Sequence, residues 1–288
     1  MVSAVSPIPG REYDDDTVLD LLSRGELEVR GRLVTASNTT LFARVTLGEL
    51  SGGCVYKPIS GERPLWDFPP RTLAHREAAA YLLSAGTGWG VVPPTVLRDG
   101  PVGTGSVQWW VDDGRVDEDG DPLAPEAGAG LVDVVAPNRV PPGWHQVVHA
   151  EAMDGSPVVL AHADDDALRR MAIFDVVANN ADRKGGHVLR DAAGTVYGVD
   201  HGLTFNTDPK LRTVLWGWAG ERLPDRECEA LRLLIEDLDG DGPLARGLTA
   251  LLDEDEVAFT RRRAQRLLAS GRHPRPAAGR PAIPWPAF

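Results

Sequence analysis

The sequence predicts an α+β protein in two lobes, with an antiparallel sheet and its helix in the first half and a mainly helical second half. Three observations carry this expectation. β-type runs cluster before residue 111, helical periodicity dominates after residue 163, and residues 112–130 between them are rich in Asp, Glu, Gly and Pro. The expected organisation is an N-terminal extension with a short helix (1–24), a sheet lobe (25–111), a hinge and acidic inter-lobe segment (112–162), a helical lobe (163–272) and a Pro-rich tail (273–288).

Asp14, Asp15 and Asp16 put acids at the positive end of a helix that runs through residues 17–23 and stops at Gly25. Residues 27–34, 41–47 and 54–56 read as three strands of a meander, with turns at 35–40 and 50–53. The three prolines of 60–70 mark a loop, and 72–84 is a helix with Thr72 as its cap. Two more strands, 91–97 and 107–111, turn at Asp99 and Gly100. Weak strand signals at 131–135 and 146–148 precede a well-marked helix at 164–178, whose apolar stripe of Leu168, Met171, Ala172 and Val176 also includes Asp175. A polar loop (179–186) and a hairpin (187–190 with 195–199) follow, then helices at 226–235 and 254–270. The tail from His273 is expected to be loosely held.

At 288 residues and 42% hydrophobic, the chain can bury a substantial core. A net charge of −12 argues against a nucleic-acid partner and against an anionic membrane face. No eighteen apolar residues run together and residues 1–10 lack a secretory pattern, so no integral membrane association and a cytoplasmic location are expected. Cys54 and Cys228 stand far apart, which suggests neither a disulfide framework nor a zinc site. Among 30 basic residues only Lys57, Lys184 and Lys210 are lysine, so each marks a place where a compact ammonium is wanted.

Phosphoryl transfer needs a cation on the nucleotide phosphates, a carboxylate to hold that cation, metal-binding groups and a residue that orients the nucleophile. Lys57 ends the third strand and Glu77 lies on the next helix, so Lys57 can contact phosphates while Glu77 holds it. Asp182 in the 179–186 loop can orient a hydroxyl, Lys184 can steady the transferred group, and Asp200 after the hairpin can chelate the metal. Ser37, Asn38 and Thr39 would cover the phosphates with hydroxyls and backbone amides. For the second metal position, His187 and Asn180 are both within reach on spacing.

Asp182-Arg-Lys-Gly-Gly-His187, followed by Asp200-His-Gly202, resembles the protein-kinase-like superfamily, most closely its phosphoinositide-kinase and HipA-like branches. There the catalytic loop reads Asp-Arg-His-x-x-Asn and a metal-binding Asp-x-Gly follows about a dozen residues later. The chain also looks like an uncharacterised actinobacterial group related to phosphatidylinositol 3- and 4-kinases. The resemblance implies a two-lobed protein-kinase-like fold that transfers the γ-phosphate of ATP, with Mg²⁺ or Mn²⁺, to a hydroxyl on a small molecule, a lipid head group or a protein. It also implies that Asp200 and His187 bind the metal. The sequence departs from that pattern in three ways: residues 35–40 contain no glycine, His187 replaces Asn and suits Mn²⁺ better than Mg²⁺, and the helical half is short. Transfer of AMP on the same fold, or a catalytically silent nucleotide-binding module, are the rival readings.

Other motifs read as structure. Asp237-Leu-Asp-Gly-Asp-Gly242 copies half of a calcium loop, but its twelfth position is Leu248, so an acidic turn is expected. His145 and His149 lie four apart on a strand, where they do not converge. Trp109, Trp110, Trp216 and Trp218 are expected to pack.

Overall fold

The computed structural model describes residues 13–33, 38–116, 122–240 and 242–288. Helix α1 (Asp15–Arg24) starts where the Asp14 carboxylate accepts from Thr17 N at 2.8 Å and ends at Gly25. Its buried Val18, Leu21 and Leu22 cover one face of an antiparallel sheet formed by β1 (Glu26–Arg32), β2 (Leu41–Leu47), β3 (Leu50–Pro58), β4 (Thr95–Gly100) and β5 (Gly103–Trp109). The strand order is β1-β2-β3-β5-β4. Ala43, Val45, Cys54, Tyr56 and Val107 face α1, so alternation sends Lys57 to the opposite face. The short helix is thus part of the sheet's own core.

Several strand boundaries differ from the sequence expectation, among them β5, which starts at Gly103 rather than at residue 107. Gly52 and Gly53 lie inside β3 rather than in a turn. A Cβ on Gly52 would sit 2.0 Å from the Trp109 ring, and one on Gly53 3.2 Å from Phe42 and Trp110, so these glycines make room for aromatic rings. The turn falls at Gly48, whose φ is +61°. The fourth strand starts only at Thr95, because Pro93 and Pro94 have no N–H to offer a ladder.

Helix α2 (Leu73–Gly86) packs on the Lys57 side of the sheet. Thr72 does not cap it; its hydroxyl donates to Pro69 O at 2.7 Å. The Glu62 carboxylate caps instead, accepting from Leu73 N at 3.2 Å and Ala74 N at 2.9 Å.

The segment expected as a linker carries a second antiparallel sheet, β6 (Val132–Val135), β7 (Trp144–Glu151) and β8 (Pro157–Ala163), in the order β6-β8-β7. Strand β8, unread in the sequence, buries Val159, Leu160 and Ala161. Beyond it come α3 (Asp166–Ala178), the hairpin β9 (Val188–Arg190) and β10 (Val196–Gly198), and helices α4 (Asp225–Asp239), α5 (Pro243–Thr249) and α6 (Glu254–Ser270). The molecule is α+β and two-lobed, with a sheet lobe and a mainly helical lobe. One core joins them: Ala79, Ala80 and Leu83 of α2 share it with Met171, Phe174, Leu231 and Leu248.

Asp237 caps the unexpected helix α5, accepting from Ala245 N at 2.8 Å, and Asp239 pairs with Arg261. Among the described residues no group of three His, Cys, Asp or Glu side chains is placed to hold a metal ion, and no helix is long and apolar enough to cross a membrane. His145 packs against His162 and Trp218, while Trp109 and Trp110 pack on Tyr13 and Phe42. The tail is held, contrary to expectation. Gly220 N donates to His273 O (2.9 Å), Thr213 N and the Trp216 indole to Ala282 O (3.0 and 2.9 Å), and Gly185 N to Ala287 O (2.8 Å). Its backbone groups thus find protein partners, and Ile283 and Ala287 pack on the core.

Candidate functional site

Lys57 projects from the penultimate position of β3. Its ammonium lies 2.5 Å from Glu77 Oε1 on α2 and 2.9 Å from Asp200 Oδ1, a residue 143 positions further along the chain. The second Glu77 oxygen accepts from His201 N at 3.0 Å. Glu77, only 3% exposed, therefore ties the sheet lysine to the backbone of the segment carrying Asp200. Burial alone would lower the Lys57 pKa, but the Asp200 and Glu77 charges outweigh it and hold the ammonium above its ordinary value. The Lys57 charge in turn holds the Asp200 carboxyl well below the usual carboxylate range, against the opposing effect of burial. Both groups are charged at neutral pH.

Asp200 has a left-handed backbone (φ +61°), uncommon outside glycine, and presents about half of its side chain to the cleft (54% exposed). His187 Nε2 lies 3.4 Å from Asp200 Oδ2. Burial pushes the His187 pKa down to about 4, so its imidazole is neutral at pH 7. A carboxylate and a neutral imidazole side by side are a donor pair that could hold a divalent ion.

The loop after α3 is fixed by a buried network. Asn179 closes the helix in a left-handed conformation, and its amide donates to Asn206 O and Asp208 O. Asn180 donates to Asp175 Oδ1 on α3 (2.9 Å) and accepts from Asp182 N (3.0 Å), so its side chain is engaged between the helix and the loop. Arg183, fully buried, pairs with the equally buried Asp175 at 2.9 Å and donates to Val199 O at 3.1 Å. It also lies 2.6 Å from His201 Nε2. Burial, reinforced by the Arg183 charge, keeps His201 well below its ordinary pKa, so this nitrogen accepts from the guanidinium. A Cβ on Gly198 would lie 2.8 Å from that guanidinium, which explains the glycine. Asp175 and Arg183 were missed as site residues, although an acid on the apolar stripe of 164–178 was the signal.

Asp182 lines the same cleft as Lys57, Glu77 and Asp200. Burial raises its pKa, with Lys184, 3.4 Å away, opposing and Asp200 adding to the rise. Asn38 and Thr39 form part of the cleft's lining. They are pinned from below: Arg63 N donates to Asn38 Oδ1 (2.9 Å) and Thr39 N to Gly61 O (3.1 Å). Ser37 lies outside the described residues. Glu62 and Arg63 also border the cleft, and no sequence signal had marked them. Lys210 sits elsewhere, 2.9 Å from Asp67 and over the Trp66 ring.

The chain belongs to the family of Protein Rv2133c of Mycobacterium tuberculosis (strain ATCC 25618 / H37Rv). It is 52% identical to that relative over 268 residues, covering 93% of this chain and 94% of the relative. No protein-family model matches the chain. Among solved structures, the Golgi casein kinase gives a TM-score of 0.49 at 13% identity, over 89% of this chain and 75% of that one. The Helicobacter pylori proinflammatory kinase CtkA gives 0.40 at 10% identity, over 87% of this chain and 94% of that one. Both scores lie below 0.5.

Proposed function

We propose that this chain is an ATP-dependent phosphotransferase that moves the γ-phosphate to a hydroxyl acceptor. The observation that carries the proposal is the convergence of Lys57, Glu77 and Asp200 from β3, α2 and the segment after β10, with Asp182 lining the same cleft. In this reading Lys57, steadied by Glu77, binds the phosphates, while Asn38 and Thr39 cover them. Asp200 and His187 hold Mg²⁺ or Mn²⁺, which when bound neutralises charge between the phosphates. Asp182 accepts a hydrogen bond from the acceptor hydroxyl and aims its oxygen at the γ-phosphorus. The new P–O bond forms as the bond to the bridging β–γ oxygen breaks, ADP departs, and the hydroxyl proton passes to Asp182. Its raised proton affinity suits that role. Lys184 steadies the transferred group.

A second reading, transfer of AMP, is favoured by Arg63, a further cation lining the cleft beyond Lys57 that suits phosphates bound in the reversed direction. Nucleotide labelled at the α- or γ-phosphate separates the two. γ-Label passing to an acceptor, and lost in Asp182→Ala while ATP still binds, supports phosphoryl transfer; α-label supports AMP transfer. Nucleotide binding without transfer of either label would leave a silent nucleotide-binding module.

A further inference from the structure

A second groove, about 320 Å³, opens beside the catalytic loop between residues 209–216 and the tail. Lys210, Arg212, Arg275 and Arg280 all line it, and no carboxylate does. In a chain whose 42 acids outnumber its 30 bases, a groove whose charged lining residues are all cations marks a constructed feature. Lys210 is already neutralised by Asp67. Among the described residues, no carboxylate lies within ion-pair distance of Arg212, Arg275 or Arg280, although Arg212 acts electrostatically on Asp182.

The walls are set in place. Arg280 donates to Pro209 O at 2.7 Å, and Trp216 holds the facing tail through Ala282 O. Arg275 packs over Gly220, where a Cβ would lie 2.5 Å from its guanidinium. Arg212 joins the groove to the reaction centre. Its N donates to Asn180 O, its O accepts from Arg183 N, and its charge lowers the pKa of Asp182.

We infer that this groove binds the phosphate of the acceptor, and that the acceptor is a soluble phosphomonoester carrying a free hydroxyl. The inference rests on the phosphotransferase reading above. Three guanidiniums without carboxylate partners match a dianion better than a single carboxylate, because each presents donors in a planar fork. The volume lies near the lower end of small-ligand sites, and the chain's net negative charge disfavours an anionic bilayer. A phosphate held beside Arg212 leaves the hydroxyl of the same molecule free to reach Asp182.

The test is a thermal-shift and calorimetric titration of the full chain with inorganic phosphate and with glycerol 3-phosphate, against sodium chloride at matched ionic strength. Wild type should bind both phosphates. Arg275→Gln/Arg280→Gln should bind them at least tenfold more weakly, yet keep its circular dichroism and its ATP affinity; Arg275→Gln alone serves if the double variant misfolds. Equal binding by the variants, no binding by wild type, or a response only to vesicles containing phosphatidic acid would each overturn the inference. Phosphate binding lost in the variants, in a protein that fails to bind ATP under any metal, would retain the anion site. It would overturn the acceptor role together with the phosphotransferase reading.

Discussion

Replacing Glu77 by alanine probes the junction on which the cleft depends. The change removes one of the two carboxylates on Lys57 and the acceptor for the buried His201 N–H. Removing one partner of a buried ion pair costs about 3–5 kcal/mol. Lys57 keeps Asp200 at 2.9 Å and is 20% exposed, which reduces that contribution to roughly 1–2 kcal/mol. The unsatisfied backbone N–H adds about 1–3 kcal/mol. Together these predict a loss of roughly 3 kcal/mol for Glu77→Ala in urea unfolding at pH 7, followed by tryptophan fluorescence. Glu77→Gln keeps an oxygen for one partner and should lose only about 1–2 kcal/mol. The reasoning fails if the alanine variant unfolds with wild-type stability, or if the glutamine variant is as unstable as the alanine one.

Arg183→Leu leaves the fully buried Asp175 without its cationic partner and should cost about 3 kcal/mol, measured in the same urea experiment; a loss under 1 kcal/mol would deny the network its role. His162 and His273, both buried, are pushed by burial from an ordinary 6.5 down to about 4. The unfolded chain therefore takes up protons first as pH falls. Their stabilisation is complete above about pH 6.5 and declines toward pH 4, by up to roughly 2 kcal/mol per histidine at pH 5. A urea midpoint that stays flat from pH 7 to pH 5 would contradict this. A Cβ on Gly185 would meet the Phe288 ring at 2.1 Å, so Gly185→Ala should release the tail and speed its proteolysis. Adding Phe288→Ala should relieve the clash, so the double variant should be no less stable than Gly185→Ala; simple additivity would argue against the contact.

Apart from α5, the helices and the hairpin were legible because their signals are local. Asp14 caps α1, Asp165 caps α3 by accepting from Ala167 N and Leu168 N, and the Asp191–Gly194 turn joins β9 to β10. Lys57, Glu77, Asp182 and Asp200 could be named from residue type and order, but their meeting depends on long-range packing through α2. What stayed hidden was non-local. Gly52 read as a turn because the ring filling its space, Trp109, comes 57 residues later. Glu62 could not be recognised as the cap of a helix eleven residues away. The tail's prolines suggested looseness, whereas its hold comes from backbone partners at Gly185, Thr213 and Gly220.

The most direct test of the central claim is calorimetric titration of ATP into wild type and Asp200→Ala, in Mg²⁺ and separately in Mn²⁺. Metal-dependent binding to wild type, stronger with Mn²⁺ and lost in Asp200→Ala, is the predicted result. Binding that is unchanged by the substitution, or absent with either metal, would contradict the assignment of the Lys57–Asp200 cleft as a nucleotide site.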